Sequence, residues 1–189
     1  MGQIKRVEVV MAICGIVSRH LPLLQWSVEQ LASCWGGLTG PPQRVPFGAQ
    51  AYYEEEMGTD LQKWMVCGML PRDPAELADW KRFTTQLEER ARGEGLEGGE
   101  KHPQSRPLNL DPGYISQGKL VLASVKDRDH RVYLRDGIFA EVTLRYSRQG
   151  WVVNPWTYRD YRTPEMWAFA DVCRGRLRDY LTRSGGFRR

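Results

Sequence analysis

Of the three histidines in this 189-residue chain, His20 is expected to cap a helix start, His102 lies in a glycine-rich stretch read as a mobile loop, and only His130 sits among acidic residues. An imidazole titrates near neutral pH, so His130 beside carboxylates is a candidate proton carrier. Asp111 and Glu141 are the carboxylates that neighbouring strands can bring to it, to position the ring or to bind a divalent cation such as Mg²⁺. Lys126 and Arg131 offer charge to an anionic group, and Asn109, two residues before Asp111 on a strand, points to the same side as that carboxylate. The histidines do not form a metal-ligand constellation, so no resident metal site is expected.

Periodicity sets the register around Glu141. Asp136-Gly137 joins two β-rich runs, either as a two-residue turn or within a three-residue loop Arg135-Asp136-Gly137 with Gly137 left-handed. The three-residue loop is preferred because it predicts one apolar face made of Val132, Leu134, Ile138, Ala140, Val142 and Leu144. Arg131 then stands opposite Glu141, and Tyr133, Phe139, Thr143 and Arg145 share their outward side. This pair also fits an ordinary half-exposed ion pair worth under about 1 kcal/mol. In the functional alternative, Lys126, His130, Arg131 and Glu141 converge on one anion or metal, with Thr143 beside them. Asp111 likewise has a plain alternative, as a turn residue before Pro112-Gly113 whose carboxylate caps the turn.

Two runs assigned outside regular structure mix aromatics with charge, YYEEE at 52–56 and WTYRDYR at 156–162. There Tyr53, Trp156 and Tyr158 can stack a planar base while an arginine holds its phosphate, or can simply cover the core. A net charge of +4 is too mild for a dedicated nucleic-acid binder. Residues 1–103 carry 11 basic and 14 acidic side chains against 16 and 9 in residues 104–189, so an anionic partner belongs to the second half.

Holding these residues in place requires a core, which 41% hydrophobic residues provide, and no apolar run approaches the roughly 20 residues of a membrane span. The Lys5-Arg6 amino terminus is interrupted by Glu8 and lacks a cleavage site, and Arg6 breaks the myristoylation pattern. Cys14, Cys34, Cys67 and Cys173 stand apart in apolar surroundings, as reduced thiols of a cytoplasmic protein do. A buried strand is predicted over 7–14, then a helix from Pro22 whose Leu24, Val28, Leu31 and Trp35 recur until Gly36-Gly37. Extended pieces follow at 45–47 and 64–70. Asp73-Pro74-Ala75-Glu76 is a capping-box start for a helix with an inner stripe of Leu77, Trp80, Thr84, Leu87 and Ala91. Residues 93–105 read as a mobile loop and 106–111 as a strand.

This β-α-β-β-α-β order predicts a single α+β domain with a ferredoxin-like split βαβ core over 1–112, its two helices on one face of an antiparallel sheet. Residues 113–162 add a β-rich extension, as further strands or a second small sheet. A C-terminal helix over 163–184 turns Met166, Ala170, Cys173, Leu177 and Leu181 inward before a frayed tail.

Five runs, YYEEEMG (52–58), LNLDPGY (108–114), LVLASVKD (120–127) with HRVYL (130–134), GIFAEVTL (137–144) and PWTYRDYR (155–162), resemble the uncharacterised bacterial family called domain of unknown function 4416. The likeness spans nearly the whole chain and brings no activity, although some members carry the label GTP-binding protein. Residues 113–119 do match G-x-x-x-x-G-K, but Leu120 replaces the hydroxyl residue that would hold Mg²⁺, and no apolar strand ending in Asp supplies the second metal position. A working P-loop is therefore not expected. The sequence predicts a cytoplasmic protein without membrane association that binds, and in one version turns over, a phosphorylated or nucleotide-like small molecule in a polar cleft of Asn109, Asp111, Lys126, His130, Arg131 and Glu141. The competing class is a noncatalytic module whose basic, aromatic second half grips a protein or RNA.

Overall fold

In the computed structural model, which describes residues 7–48, 50–93 and 102–185, the central strand is β1 (Met11–Ser18), buried at every position. Its side chains alternate between two layers: Ala12, Cys14 and Ile16 face one core, Met11 and Ile13 the other. The strand lies further along the chain than the apolar run suggests, because Gly15 to Val17 keep ladder partners on both sides and Ser18 still pairs with β3.

The first core is capped by two long helices. α1 (Leu21–Trp35) ends at Gly36, whose φ of 72° suits glycine. The second of these helices, residues 77–93, follows a 3₁₀ turn at Pro74–Glu76, and the expected capping box forms, with Ala75 N–H donating to Asp73 at 2.9 Å and Asp73 N–H to Glu76 at 3.3 Å. It buries Leu77, Trp80, Thr84, Leu87 and Ala91, the stripe that helical periodicity predicts. Between these helices lie β2 (Gln43–Val45), α2 (Gln50–Met57) and β3 (Gln62–Cys67), so the helix just described is α3. The YYEEE run therefore belongs to α2 rather than to irregular chain; its mixed composition shows no apolar stripe, yet Met57 and Tyr53 anchor it.

Downstream come β4 (Asn109–Ile115), β5 (Lys119–Ser124), β6 (Val132–Arg135), β7 (Ile138–Ser147), β8 (Gly150–Val153) and α4 (Pro164–Ser184). They extend the same sheet, in the order β2-β3-β1-β4-β5-β7-β6 with β8 pairing β7, and every pairing between these strands is antiparallel. The expected division at 112/113 falls inside β4. α4, capped by Thr163, packs Met166, Ala170, Cys173, Leu177 and Leu181 on the opposite face from α1 and α3. The loop expected over 93–105 lies mostly outside the described residues, as does the tail beyond 185. The His102 ring lies 4.2 Å from that of His20, tilted by 39°, and Gln104 bonds the His20 ring at 2.8 Å, so the His20 side chain, expected to cap α1, makes no cap hydrogen bond.

The hairpin corrects the sequence reading at its tip. Val132 pairs with Ala140 and Tyr133 with Phe139, which preserves the Arg131–Glu141 register, but Arg135 pairs with Ile138 around a two-residue turn and Leu134 forms a bulge. Asp136 and Gly137 have φ of 55° and 74°, the twist a two-residue hairpin turn favours. A further irregularity pairs Leu120 with Leu144 but Val121 with Val142, so Thr143 is the extra residue and Leu144 crosses to the α4 side. Among the described residues no layer covers β6, so Val132 and Leu134 are exposed rather than buried on an apolar face.

Candidate functional site

A proline in mid-sheet opens the site. Pro112, expected in a turn, lies within β4 opposite Cys14 of β1. It has no N–H to give, and the ladder to β5 stops one residue short of it, at Gly113–Leu122, while pairing with β1 runs on to Asn109. Gly113 is required there, since a Cβ would stand 2.3 Å from the Val121 carbonyl. Beyond it β4 and β5 part. The backbone groups of Leu110 are taken up by α3, its N–H donating to Glu88 at 2.6 Å and its carbonyl accepting from Lys81 at 2.9 Å. Burial raises the Glu88 carboxyl above its ordinary value, with the nearby Lys81 charge opposing that shift.

The opening is a cavity of about 570 Å³ on the α4 side of the sheet. Alternation along the strands dictates its floor. Asn109 and Asp111 of β4, Ser124 of β5 and Glu141 of β7 point into it, and Asn109 donates to Asp111 at 2.8 Å. Arg106 hydrogen-bonds Asn109, lies near Glu56 of α2 at 3.6 Å, and its guanidinium sits 5.6 Å from the Tyr53 ring centre.

Both Glu141 oxygens are engaged. One oxygen accepts from Arg131 Nε at 2.8 Å and lies 3.2 Å from His130 Nε2, and the other accepts from Thr143 Oγ1 at 3.1 Å. Arg131 is itself committed, donating to Ser124 Oγ at 2.6 Å, the Lys126 carbonyl at 2.8 Å and Tyr158 Oη at 2.7 Å. Four of its five donors are engaged inside the protein, so its geometry is that of a clamp on Glu141 and Tyr158. His130 stacks on Trp156 at 5.2 Å, with Asp129 on its other nitrogen at 3.0 Å. Neither His130 nor Thr143 lines the cavity; both act behind Glu141.

The bulge at Thr143 also explains the aromatic wall. It frees the Val142 and Thr143 carbonyls, which accept from Trp156 Nε1 at 3.0 Å, Asn154 Nδ2 at 2.7 Å and Thr157 Oγ1 at 2.5 Å. The 154–158 turn is thereby fixed with Trp156 and Tyr158 against the opening. Tyr53 and Phe47, 5.7 Å apart, also line it. Burial, reinforced by the Asp111 charge, raises the Tyr53 phenol; burial and Glu141 raise Tyr158. Lys126 and Arg159 sit exposed at the rim.

Eight of the ten residues singled out from the sequence line this cavity: Tyr53, Asn109, Asp111, Lys126, Arg131, Glu141, Trp156 and Tyr158. Others were not foreseen. Lys63 and Asp160 form a buried ion pair, 1% and 6% exposed, and Lys63 Nζ lies 3.9 Å from the centre of the Tyr161 ring. Lys63 was detectable as a charge on the same strand face as Met65 and Cys67; Tyr161 and Asp160, in a 3₁₀ turn, gave no periodic signal. Among the described residues no group of three or more His, Cys, Asp or Glu side chains is arranged to hold a metal ion. With both Glu141 oxygens occupied, the donor set offers a cation little beyond Asp111, and the Mg²⁺ expectation gains no support. The G-x-x-x-x-G-K run is the β4–β5 hairpin; strand β5 follows it, without the helix whose N-terminus a phosphate-binding loop uses.

A family model described as domain of unknown function DUF4416 matches residues 7–177. Neither a curated protein nor a solved structure gives a significant match.

Proposed function

The chain belongs to the DUF4416 family, and from that premise we propose that the cavity binds a phosphorylated or nucleotide-like small molecule. The observation that carries this reading is the cavity itself: its 570 Å³ falls in the size range of small-molecule sites, with aromatic side chains, a polar floor and the exposed cations Lys126 and Arg159 at the rim. A planar ring fits between Tyr53 and the Trp156–Tyr158 wall, and an anionic group fits Lys126 and Arg159. If turnover occurs, Asp111 is the floor carboxylate open to a ligand, while His130 acts on it only through Glu141. Calorimetric titration with nucleoside mono- and triphosphates tests the reading. Lys126→Ala should weaken binding by about 1.5–3 kcal/mol, the scale of a charge-assisted hydrogen bond, and Lys119→Ala should leave it intact. A loss confined to Lys119 would restore the phosphate-loop alternative.

The exposed edge strand β6, with Val132 at 69% and Tyr133 at 58% exposure, favours a second reading as a protein-interaction module that adds a partner strand there. We further read β1, β2, β3 and β4 with α1 and α3 as a ferredoxin-like unit. The order β2-β3-β1-β4, antiparallel throughout, supports this, as does the placement of both helices on one face. α2 is then an insertion between β2 and β3. No helix among the described residues is long and apolar enough to cross a membrane. The four free cysteines, three of them buried, support a reducing, cytoplasmic setting.

A further inference from the structure

Nearly every buried polar atom around the cavity has a partner inside the protein. Glu141, Arg131, Ser124, Asn109, Asp160 and Thr157 are all hydrogen-bonded. Tyr161 is the exception. Its ring is 1% exposed, it lines the cavity, and its hydroxyl has no hydrogen-bond partner. The two other unpartnered buried atoms among the described residues, on Trp35 and His102, are not cavity-lining.

The surroundings of this hydroxyl are built rather than incidental. It sits over Gly15, where an added Cβ would stand 3.4 Å from the Tyr161 oxygen, an ordinary contact, and a tighter 3.1 Å from Lys63 Cε, so glycine there leaves room for the Lys63 side chain that packs on the ring. Gly15 pairs directly across the ladder with Asp111, which places that carboxylate on the same face beside the phenol. Asp111 has one oxygen engaged, by Asn109. Lys63, held by Asp160, packs on the ring and fixes its position. The result is a donor without an acceptor next to an acceptor with capacity to spare. Burial and the negative charges of Asp111 and Asp160 raise the Tyr161 phenol well above its ordinary value, which keeps it protonated and a donor.

We propose that Tyr161 and Asp111 together read one edge of the ligand: an acceptor atom takes the Tyr161 O–H, and an adjacent N–H or O–H donates to Asp111. The ligand class is a planar heterocycle carrying neighbouring donor and acceptor atoms, as on the base edge of a nucleotide. This rests on the small-molecule reading above and adds which end of the ligand enters first: the heterocycle lies at the floor and the phosphate at the Lys126 rim.

The test is Tyr161→Phe, followed by thermal melting and by calorimetry with GMP, AMP, UMP and ribose 5-phosphate. A hydroxyl without a protein partner is dispensable to the fold, so the melting temperature should hold or rise. Whichever monophosphate binds the native protein should bind the variant about three- to tenfold more weakly, the loss of one neutral hydrogen bond, whereas ribose 5-phosphate, which lacks the base edge, should be unaffected. Asp111→Asn should weaken the same monophosphate and spare ribose 5-phosphate. A melting temperature lowered by several degrees, undiminished monophosphate binding, or an equal loss for ribose 5-phosphate would overturn the proposal. If no probe binds the native protein, the small-molecule reading itself falls, and the edge assignment falls with it.

Discussion

The two carboxylates on the cavity floor, Glu141 and Asp111, stand on the same sheet face with opposite fates. Glu141 is 1% exposed in its side chain and is held by Arg131, Thr143 and His130. Asp111 is half-buried and bonded by Asn109 alone. A carboxylate with both oxygens held by the protein is part of the scaffold, because a ligand must compete with bonds already made. One with spare capacity at a cavity wall remains open to a ligand. A sequence argument by residue type treats the two alike, and hydrogen-bond accounting separates them.

The largest effect should come from Glu141→Ala. It strands the Arg131 guanidinium, itself 5% exposed, and should cost about 3–5 kcal/mol in urea denaturation. Asp111→Asn, in the same assay, should stay within about 1 kcal/mol of the native protein. Equal costs for the two would end the distinction. Next in size is the Lys63–Asp160 pair, buried below the same floor. Lys63→Met and Asp160→Asn should each cost about 3 kcal/mol, since each leaves an uncompensated buried charge, while the double variant should cost clearly less than their sum, with a coupling of about 1–3 kcal/mol. Additive costs would mean that the pair is not the unit holding Tyr161.

The smallest effect sharpens the account of the opening between β4 and β5. Burial raises the Glu88 carboxyl, so the folded state binds its proton more tightly than the unfolded chain does. Its contribution to stability therefore falls as pH climbs from the ordinary glutamate range through the raised folded value. Glu88→Gln keeps an acceptor for the Leu110 N–H and removes the ionisation, so the variant should lose less stability than the native protein between about pH 4 and pH 7. Parallel pH profiles would show that Glu88 is not the group responsible.

Much of the molecule was legible in the chain because its determinants are local. The stripe Leu77, Trp80, Thr84, Leu87 and Ala91 follows from helical period alone, and the Asp73–Glu76 capping box from side chains within one turn of the backbone they satisfy. Alternation likewise placed Asn109 and Asp111 on one side of β4 and Arg131 opposite Glu141, where their side chains meet. Where neighbours in space decide, the same rules misled. The bulges at Leu134 and Thr143 changed which faces are covered, and Pro112 joined a strand because β1 pairs with it while β5 turns away. Only the tertiary structure could bring Lys63 to Asp160, 97 residues apart, or set the Tyr161 hydroxyl over Gly15. Those contacts depend on which strands become neighbours and how far apart they are held, and residue types in sequence order do not specify that distance.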